Sequence, residues 1–400
     1  MPTTTNPVET IEKKIKNLPP FPLVLQKLLA VMEQPEASAE DISQVISSDQ
    51  ALAGKVLKLV NSSFYGLSGQ VSTISRAVVI LGTSPLRSLA VGMGAAKIMA
   101  STGKGAIQER FWSHAIASAA SAEVMARHAD FADPEETFIA GLLHDLGHLI
   151  LHQAHPEAFE RLVARENGLE IDLEKEHLGM AHTQAGQKLL RHWRVPANLC
   201  SAVRFHHTRQ VILKDDDPLL SFTVLADMVA RIHGKTYEPA LPDDEFRVLF
   251  EKRGQTWQQF GDLLAAVAQR AQETRDFLRI AGDAEIPVAA AIARPSLKVV
   301  VVSTESLRAG LAREILGYFG HTVIGMKNFF GQADLQNEVD RVLLDPSSVK
   351  PEQLQKMAPL LADRPDRLRV LGKDADGRTR QALGHAPSEI NLIFGNEELF

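Results

Sequence analysis

Ionisable side chains interrupt apolar helical segments repeatedly between residues 114 and 227, and this pattern limits the fold more than any other feature. The chain has 14 histidines, and they bunch between residues 114 and 207. The pair His144-Asp145, for example, stands in the apolar segment Gly141-Leu-Leu-His-Asp-Leu-Gly-His-Leu-Ile, which is predicted to be a helix. Burying an adjacent imidazole and carboxylate costs free energy unless a partner compensates them. The fold is therefore expected to gather these side chains around a shared partner.

The first part of the chain is predicted to be all-helical. Ser38-Ala-Glu-Asp41 has the form of a capping box ahead of an apolar-periodic stretch, and Ser48-Asp49 is expected to start a second helix. A third helix is predicted from Ser75 to Leu81, and a fourth is predicted to begin at Ser84-Pro85. Strand signals are few and weak in this region, so residues 1–285 are expected to form helices.

A different pattern begins at residue 297. Leu297-Lys-Val-Val-Val-Val302 is a β-branched run typical of a buried parallel strand, and a helix is expected at about residues 305–319. Four further short runs are predicted strands: Thr322–Gly325, Arg341–Asp345, Leu368–Gly372 and Ile390–Phe394. Alternating strands and helices indicate a small α/β domain with a parallel sheet.

These patterns predict a multidomain chain. A helical domain is expected over residues 1–240, with the ionisable core at about residues 105–235. A helical extension at residues 241–283 carries aromatic residues at helical spacing and is expected to cover the core. A linker at residues 284–296 then leads to the α/β domain at residues 297–400.

Composition excludes several classes of protein. The formal charge is −6, from 43 basic and 49 acidic residues, so the chain offers no basic platform for nucleic acid. Lys55 and Lys58 stand alone in the early helices, and DNA binding is not expected. The single cysteine, Cys200, excludes a disulfide scaffold and a thiolate-rich zinc site. Without a signal-peptide pattern or a run of about 18 apolar residues, a cytoplasmic protein with no membrane span is expected.

A divalent transition metal would compensate this set of side chains, because imidazole nitrogen and carboxylate oxygen bind ions such as Fe, Mn or Zn. The candidate ligands each interrupt an apolar helical face: His114, His144, Asp145, His182, His206, His207 and Asp227. Adjacent residues on a helix point about 100° apart. His144 and Asp145 could therefore flank one ion or bridge two. His177 is an alternative to His182 in the same segment.

The order His114…His144-Asp145…Asp227 resembles the H…HD…D pattern of HD-superfamily metal-dependent phosphohydrolases. More specifically, about residues 8–235 resemble the HDOD family, the HD-related output domain of bacterial signalling proteins. The segments that carry this resemblance are Leu18-Pro-Pro-Phe-Pro, Ser47-Ser-Asp-Gln-Ala-Leu, Leu59-Val-Asn-Ser-Ser-Phe-Tyr-Gly, Ile74-Ser-Arg-Ala-Val-Val-Ile-Leu-Gly, Gly141-Leu-Leu-His-Asp-Leu-Gly, Trp193-Arg-Val-Pro-Ala-Asn-Leu and Phe205-His-His.

The resemblance implies an all-α HDOD domain that serves as a signalling output or scaffold module. Compared with the related HD-GYP cyclic-di-GMP phosphodiesterases, the seven candidate ligands stand at plausible ligand positions. No Gly-Tyr-Pro follows His207, however, and His148 replaces the lysine that would contact substrate phosphate. A neutral imidazole lacks the fixed charge that favours an anionic transition state. The resemblance thus favours metal binding over phosphodiester hydrolysis.

Two functions stay open at this point. The first is a signalling output or scaffold protein with a retained site for one or two metal ions, which binds a partner protein or a nucleotide. The second is a metal-dependent phosphohydrolase acting on a nucleotide or cyclic dinucleotide, with Asp145 and His148 as catalytic candidates. The partner surface is expected in the N-terminal helical segment, around Asn61-Ser-Ser-Phe-Tyr-Gly66.

The C-terminal domain resembles a response-regulator receiver domain in the spacing of its first three strands, with Asp345 at the phosphoacceptor position. A working receiver needs an acidic pair after strand 1 to hold Mg²⁺, but Ser303-Thr304 stands there. Gly372 follows strand 4 in place of a hydroxyl residue, and no Lys-Pro follows strand 5. The resemblance implies a degenerate receiver-like module for docking or homodimerisation. An unrelated small α/β domain is the alternative.

Overall fold

A computed structural model describes much of the chain. The described residues are 6–18, 22–32, 34–61, 67, 69–100, 106–164, 171–208, 216–233, 243–256, 259–281, 297–302, 316, 322–325, 339–344, 368–371 and 388–390. The expected linker at residues 284–296, the predicted helix at 305–319 apart from residue 316, and the predicted phosphoacceptor Asp345 lie outside them.

The described residues before position 290 form helices, as the sequence predicts. The helices are α1 (Pro7–Asn17), α2 (Leu23–Met32), α3 (Ala39–Ser47), α4 (Gln50–Val60), α5 (Ile74–Leu81), α6 (Thr83–Ala100), α7 (Ala106–His128), α8 (Pro134–Leu143), α9 (Leu146–Ala154), α10 (Pro156–Val163), α11 (Ile171–Leu178), α12 (His182–His192), α13 (Ala197–Phe205), α14 (Pro218–His233), α15 (Asp243–Lys252) and α16 (Phe260–Ala281).

Polar caps fix where several of these helices begin. Ser38 and Asp41 form the predicted capping box at the start of α3, since each side chain binds the backbone N–H of the other residue. Asp49 caps α4 by accepting a hydrogen bond from the Leu52 N–H at 2.8 Å. The helix expected to begin at Ser84-Pro85 starts one residue earlier, at Thr83, directly after Gly82 ends α5 with a φ of 74°.

The prediction that His144-Asp145 lies inside one helix is wrong. Helix α8 ends at Leu143 and α9 begins at Leu146, so the pair stands at the junction of two helices. Asp145 occupies the N-cap position of α9 with φ −99° and ψ 6°, yet its carboxylate makes no capping hydrogen bond. Its oxygens face histidines instead, which is why the junction matters for the site described below.

The chain divides into two compact units. One comprises Met1–Gly254 with Val267–Ala289, and the other comprises Gln255–Ala266 with Ala290–Phe400. In the first unit α7 packs along both α8 and α14, while α12 packs on α9 and α13. These contacts form an apolar core that includes Phe111, Ile116, Leu142, Leu189 and Val224, all buried.

The second unit contains a parallel five-stranded sheet in the order β2-β1-β3-β4-β5. Its strands are β1 (Lys298–Val302), β2 (Thr322–Gly325), β3 (Arg341–Leu344), β4 (Leu368–Leu371) and β5 (Ser388–Ile390). The last strand begins two residues before the predicted Ile390–Phe394, and residues 391–394 lie outside the described part of the chain. Val299–Val302 are buried, as expected for a central strand flanked on both sides.

The same strand order occurs in flavodoxin-like doubly wound folds. The sheet thus agrees with the predicted α/β class, whereas the resemblance to a receiver domain stays a prediction. Within the described part of the chain, no single helix is long and apolar enough to cross a membrane. One bent pair, Ile74–Leu81 with Pro85–Ala95, meets that test by length and composition alone.

Two glycines let the helices around the His144-Asp145 junction approach each other closely. A Cβ atom on Gly141 would lie 2.7 Å from the Ser118 carbonyl oxygen of α7. A Cβ atom on Gly147 would overlap the carbonyl group of His182 and lie 2.8 Å from the backbone nitrogen of Gly186. These obstacles are backbone atoms, so a side chain at Gly147 would force α9 and α12 apart.

Replacing Gly147 by alanine is therefore expected to destabilise the protein by roughly 1–3 kcal/mol or more. The matched control is Gly54→Ala in α4, where the added Cβ meets nothing within 4 Å. Because alanine is the better helix former, that control should stabilise the protein by roughly 0.5–1 kcal/mol. Urea unfolding of both variants checks the prediction, and equal stability changes would contradict the proposed close approach.

Candidate metal centre

Five separate parts of the first unit bring the seven predicted ligands together. Helix α7 supplies His114, and the α8–α9 junction supplies His144 and Asp145. The first residue of α12 is His182, the turn after α13 holds His206 and His207, and α14 carries Asp227. All are buried except His207, which is half-buried. They form two adjoining groups.

The first group consists of His114, His144 and Asp227. The two Nε2 atoms of His114 and His144 lie 3.2 Å apart. Asp227 Oδ1 lies 3.0 Å from His114 Nε2 and 3.8 Å from His144 Nε2. Three donor atoms therefore converge on one another from three different helical segments.

The second group consists of Asp145, His182, His206 and His207. Asp145 Oδ1 lies 3.5 Å from the Nε2 atoms of both His182 and His206. The other oxygen, Oδ2, lies 3.3 Å from His144 Nε2 and 3.5 Å from His114 Nε2. Asp145 thus turns one oxygen to each group and stands between them.

Backbone carbonyls set which ring nitrogen faces the site. Nδ1 of His144 lies 2.8 Å from the Gly141 oxygen, and Nδ1 of His206 lies 2.8 Å from the Val203 oxygen. A carbonyl oxygen only accepts hydrogen bonds, so each Nδ1 must donate its proton to it. Both Nε2 atoms are left with a lone pair when the rings are neutral, which is the form that binds a metal.

Glu174 is a buried member of the site that the sequence analysis missed. It lies on α11 and is completely buried, and it binds His148 and His182. Nothing in its neighbourhood marks it, because Asp172, Lys175 and Glu176 give α11 the composition of a solvent-exposed helix. His148 lies beside the two groups, with its Nδ1 3.7 Å from Asp145 Oδ2.

Arg231 is a second residue that the sequence analysis missed. Its guanidinium donates from Nη2 to Asp227 Oδ2 at 2.7 Å and from Nε to Asp227 Oδ1 at 3.1 Å. Both side chains are buried, and they stand one helical turn apart on α14. The arginine therefore fixes the carboxylate of Asp227 so that Oδ1 faces His114.

Three buried carboxylates dominate the charge of the two ligand groups and their surroundings. Burial raises the pKa of Asp145, but the positive charges of His144 and His148 outweigh it and hold that pKa well below the usual range. Burial also raises the pKa of Asp227, and Arg231 overcomes this effect. For Glu174, burial is outweighed by His182 and His148, which lower the pKa to about 2. All three carboxylates are thus ionised at neutral pH.

The histidines respond in opposite directions. Burial lowers the pKa of His144, but Asp145 and Asp227 outweigh burial and raise it to about 10. Burial and the neighbouring His207 lower the pKa of His206 to about 3. His206 is therefore a neutral imidazole at pH 7, whereas His144 carries a proton when no other cation compensates the carboxylates.

The donor set fits divalent transition metals. Imidazole nitrogens at about 2.0–2.1 Å from a tetrahedral Zn²⁺ lie about 3.3 Å from each other, close to the 3.2 Å between His114 and His144 Nε2. Asp145 Oδ1 is buried and has no hydrogen-bond partner among the described residues. A bound cation or an ordered water satisfies a buried carboxylate oxygen of this kind. His177 is exposed on α11 and belongs to neither group.

Comparison with known proteins identifies the helical region. Residues 18–209 match the sequence profile of the HDOD domain. An uncharacterized protein of Treponema pallidum (strain Nichols) is 30% identical over 244 residues, which cover 60% of this chain and 47% of that protein. The chain therefore spans about half the length of this curated relative.

Several solved structures share the fold. An HDOD domain protein of unknown function from Geobacter sulfurreducens has a TM-score of 0.52 at 21% identity, covering 68% of this chain and 98% of that one. A candidate signal transduction protein from Marinobacter aquaeolei VT8 has a TM-score of 0.53 at 20% identity, covering 69% and 65%. A candidate phosphohydrolase from Shewanella amazonensis SB2B has a TM-score of 0.52 at 24% identity, covering 68% and 98%.

Protein purified without chelator is expected to carry one or two divalent metal ions, and Asp145→Ala should lose most of this metal because Asp145 faces both groups. His144→Ala should behave likewise. His128→Ala is the matched control, since His128 is an exposed histidine on the same helix as His114. Elemental analysis measures the outcome, and wild-type protein that fails to take up metal at neutral pH would refute the site.

Metal binding at pH 7 is expected to release about one proton, because an ion at His144 Nε2 must displace the proton that the raised pKa retains. Protonated His144 competes with the metal below about pH 10, so the apparent affinity should rise with pH. Zn²⁺ calorimetry in two buffers of different ionisation enthalpy, between about pH 6.5 and 7.5, measures the release. A pH-independent affinity over that range would contradict the assignment.

Proposed function

We propose that this chain, whose residues 18–209 match the HDOD domain, is a bacterial signal-transduction output module with a retained metal site. One or two divalent ions would be held by His114, His144 and Asp227 on one side of Asp145 and by His182, His206 and His207 on the other. The protein would then act by binding a signalling partner or a nucleotide rather than by turnover. The name of the similar Marinobacter protein, which refers to signal transduction, agrees with this assignment.

The observation that carries the proposal is the engagement of the basic side chains beside the ligands. Among the described residues, His148 donates to Glu174 at 2.9 Å, and Arg231 binds Asp227 through two hydrogen bonds. His148 and Arg231 thus each bind a carboxylate of the site, and Arg231 holds the candidate ligand Asp227 in place. A phosphohydrolase also needs cationic groups directed at the substrate phosphate, where charge develops in the transition state. In the described part of the chain, the candidate metal ligands thus stand beside two basic side chains that are already hydrogen-bonded to carboxylates of the protein.

The alternative is a metal-dependent phosphohydrolase acting on a nucleotide or cyclic dinucleotide. The observation in its favour is that all seven candidate ligands converge, with Asp145 between the two groups. A bound ion would supply Lewis acidity and a bound water of lowered pKa. Asp145 would orient that water, and His148, 3.7 Å from Asp145 Oδ2, would be the nearest candidate for proton transfer. The name of the similar Shewanella protein refers to this activity.

The remaining parts of the chain would serve the signalling function. We propose that the C-terminal α/β unit is a receiver-like docking or homodimerisation module that takes up no phosphoryl group, and its strand order agrees with such a fold. For the partner surface we propose the segment that begins at Asn61. The Asn61 side chain binds both backbone groups of Val71, at 2.8 and 2.7 Å, and so ties the two ends of this segment together. Residues 62–66 lie outside the described part of the chain.

Turnover by metal-loaded protein separates the two functions. We expect hydrolysis of bis(p-nitrophenyl) phosphate and of cyclic di-GMP to be slow, because losing one electrostatic contact to the phosphate costs roughly 10²–10³ in rate. The assay should be run on protein of known metal content, with Asp145→Ala as the metal-free control. Rapid hydrolysis by the wild type that disappears in Asp145→Ala would overturn the signalling assignment and establish the enzyme.

A further inference from the structure

Glu174 makes an unusually complete set of contacts for a buried carboxylate. Its Oε2 accepts hydrogen bonds from the backbone N–H of His182 at 2.8 Å and from His182 Nδ1 at 2.9 Å. Its Oε1 accepts from His148 Nε2 at 2.9 Å. The rings of His148 and His182 stack beside it, with centroids 4.0 Å apart and planes tilted by 30°. One carboxylate therefore clamps two imidazoles on α9 and α12.

The consequence for His182 is a defined tautomer. An ionised carboxylate only accepts hydrogen bonds, so His182 Nδ1 must carry the proton. Nε2 then presents its lone pair toward Asp145 Oδ1 and His206 Nε2, at 3.5 and 3.4 Å. Carboxylate partners of this kind orient metal-binding histidines and raise their basicity, and their loss costs about 10–100-fold in metal affinity.

The two proposed metal positions differ in the hydrogen-bond partners that orient their ligands. The ligands His144 and His206 each donate to a backbone carbonyl, and Asp227 is held by Arg231. Among the described contacts, only the second group receives a buried side-chain carboxylate on the far nitrogen of a ligand, through His182. Within the described contacts, the first group, made of His114, His144 and Asp227, does not touch Glu174, and it lies on the other side of Asp145.

We propose that Glu174 is the positioning residue of the second metal position, where it sets the tautomer of His182, and that His148 completes the clamp instead of contacting substrate phosphate. This inference rests on the proposed metal site and adds an asymmetry to it. Loading of the position formed by Asp145, His182, His206 and His207 depends on Glu174, whereas loading of the first position does not.

Glutamine at residue 174 tests this with almost no change of shape. Its amide keeps one acceptor oxygen and presents an N–H₂ donor in place of the other, so a neutral side chain can accept from only one of the two imidazoles. If the N–H₂ faces His182 Nδ1, the ring proton moves to Nε2, the atom that binds the metal; if it faces His148, His182 loses the negative charge that raises the basicity of Nε2. Glu174→Gln should therefore weaken the second ion about 10–100-fold and leave the first unchanged.

The matched control is Glu123→Gln. Glu123 is another buried glutamate, on α7, held by Arg127 at 2.8 Å and Arg270 at 2.8 Å. It lies nine residues beyond His114, or about 13 Å along the helix axis. This variant suffers a comparable loss of buried charge but should keep both metal affinities.

The experiment is a stepwise Zn²⁺ titration of full-length protein against a chromophoric chelator, with Co²⁺ absorption spectra as a second readout. The Glu174→Gln titration should match that of His206→Ala, in which the second position is damaged, and differ from that of His114→Ala. Retention of both affinities in folded Glu174→Gln would overturn this inference while leaving the metal site intact. Wild-type protein that binds no metal would overturn both.

Two further outcomes decide the remaining cases. A third ion in the wild type that is lost in Glu174→Gln would show that His148, Glu174 and His182 form a metal site of their own, against the hydrogen-bonded clamp. If Glu174→Gln does not fold, the Zn²⁺-loaded wild type still answers the question by ¹H–¹⁵N correlation of the imidazoles. His182 should then show a protonated Nδ1, and a protonated Nε2 would contradict the proposal.

Discussion

Asp145 lies between two sets of imidazoles in the interior of the helical unit, with one oxygen near His114 and His144 and the other near His182 and His206. The arrangement concentrates negative charge, because Asp227 and Glu174 are buried close by. Without compensation, three ionised carboxylates in an apolar core would cost several kcal/mol each. Arg231 compensates part of this charge, the histidines take another part, and a bound cation would supply the rest. The packing of the helices that meet here therefore depends on compensation of these buried charges.

Close backbone packing positions the charged side chains relative to one another. The glycines of the Gly141–His148 segment allow α8 to approach α7, and α9 to approach α12, more closely than any side chain would permit. The ligands on these helices then reach one another across distances of 3.0–3.8 Å. If the helices were farther apart, the same histidines and aspartates would be buried without contacting one another. The ion pair of Glu123 with Arg270 adds a tie between α7 and the later part of α16, within the same unit.

The candidate ligands could be predicted from the sequence because each one is a polar residue in or at the end of an apolar segment, where burial is otherwise costly. The same reasoning could not find Glu174, since α11 is charged and its buried position depends on tertiary packing against His148 and His182. Periodicity also failed at His144-Asp145, because apolar residues continue at helical spacing across the junction while the backbone turns. The strands were placed to within about two residues, since β-branched runs indicate buried strands without tertiary information. The pairing of the strands and their order in the sheet, by contrast, could not be predicted from the sequence and are known only from the structure.

The ligands are spread along the chain, and this has a consequence for the life of the protein in the cell. His114 and Asp227 belong to one candidate metal position although more than 100 residues separate them, so an ion there would act as a cross-link that closes a long loop of the unfolded chain. An ion that binds only the folded form stabilises it by about 2.7 kcal/mol at a free concentration 100 times its Kd. Opened chains are the substrates of proteases, and their population falls as the stability rises. Metal binding would then lower the population of opened chains and so slow proteolysis of the protein.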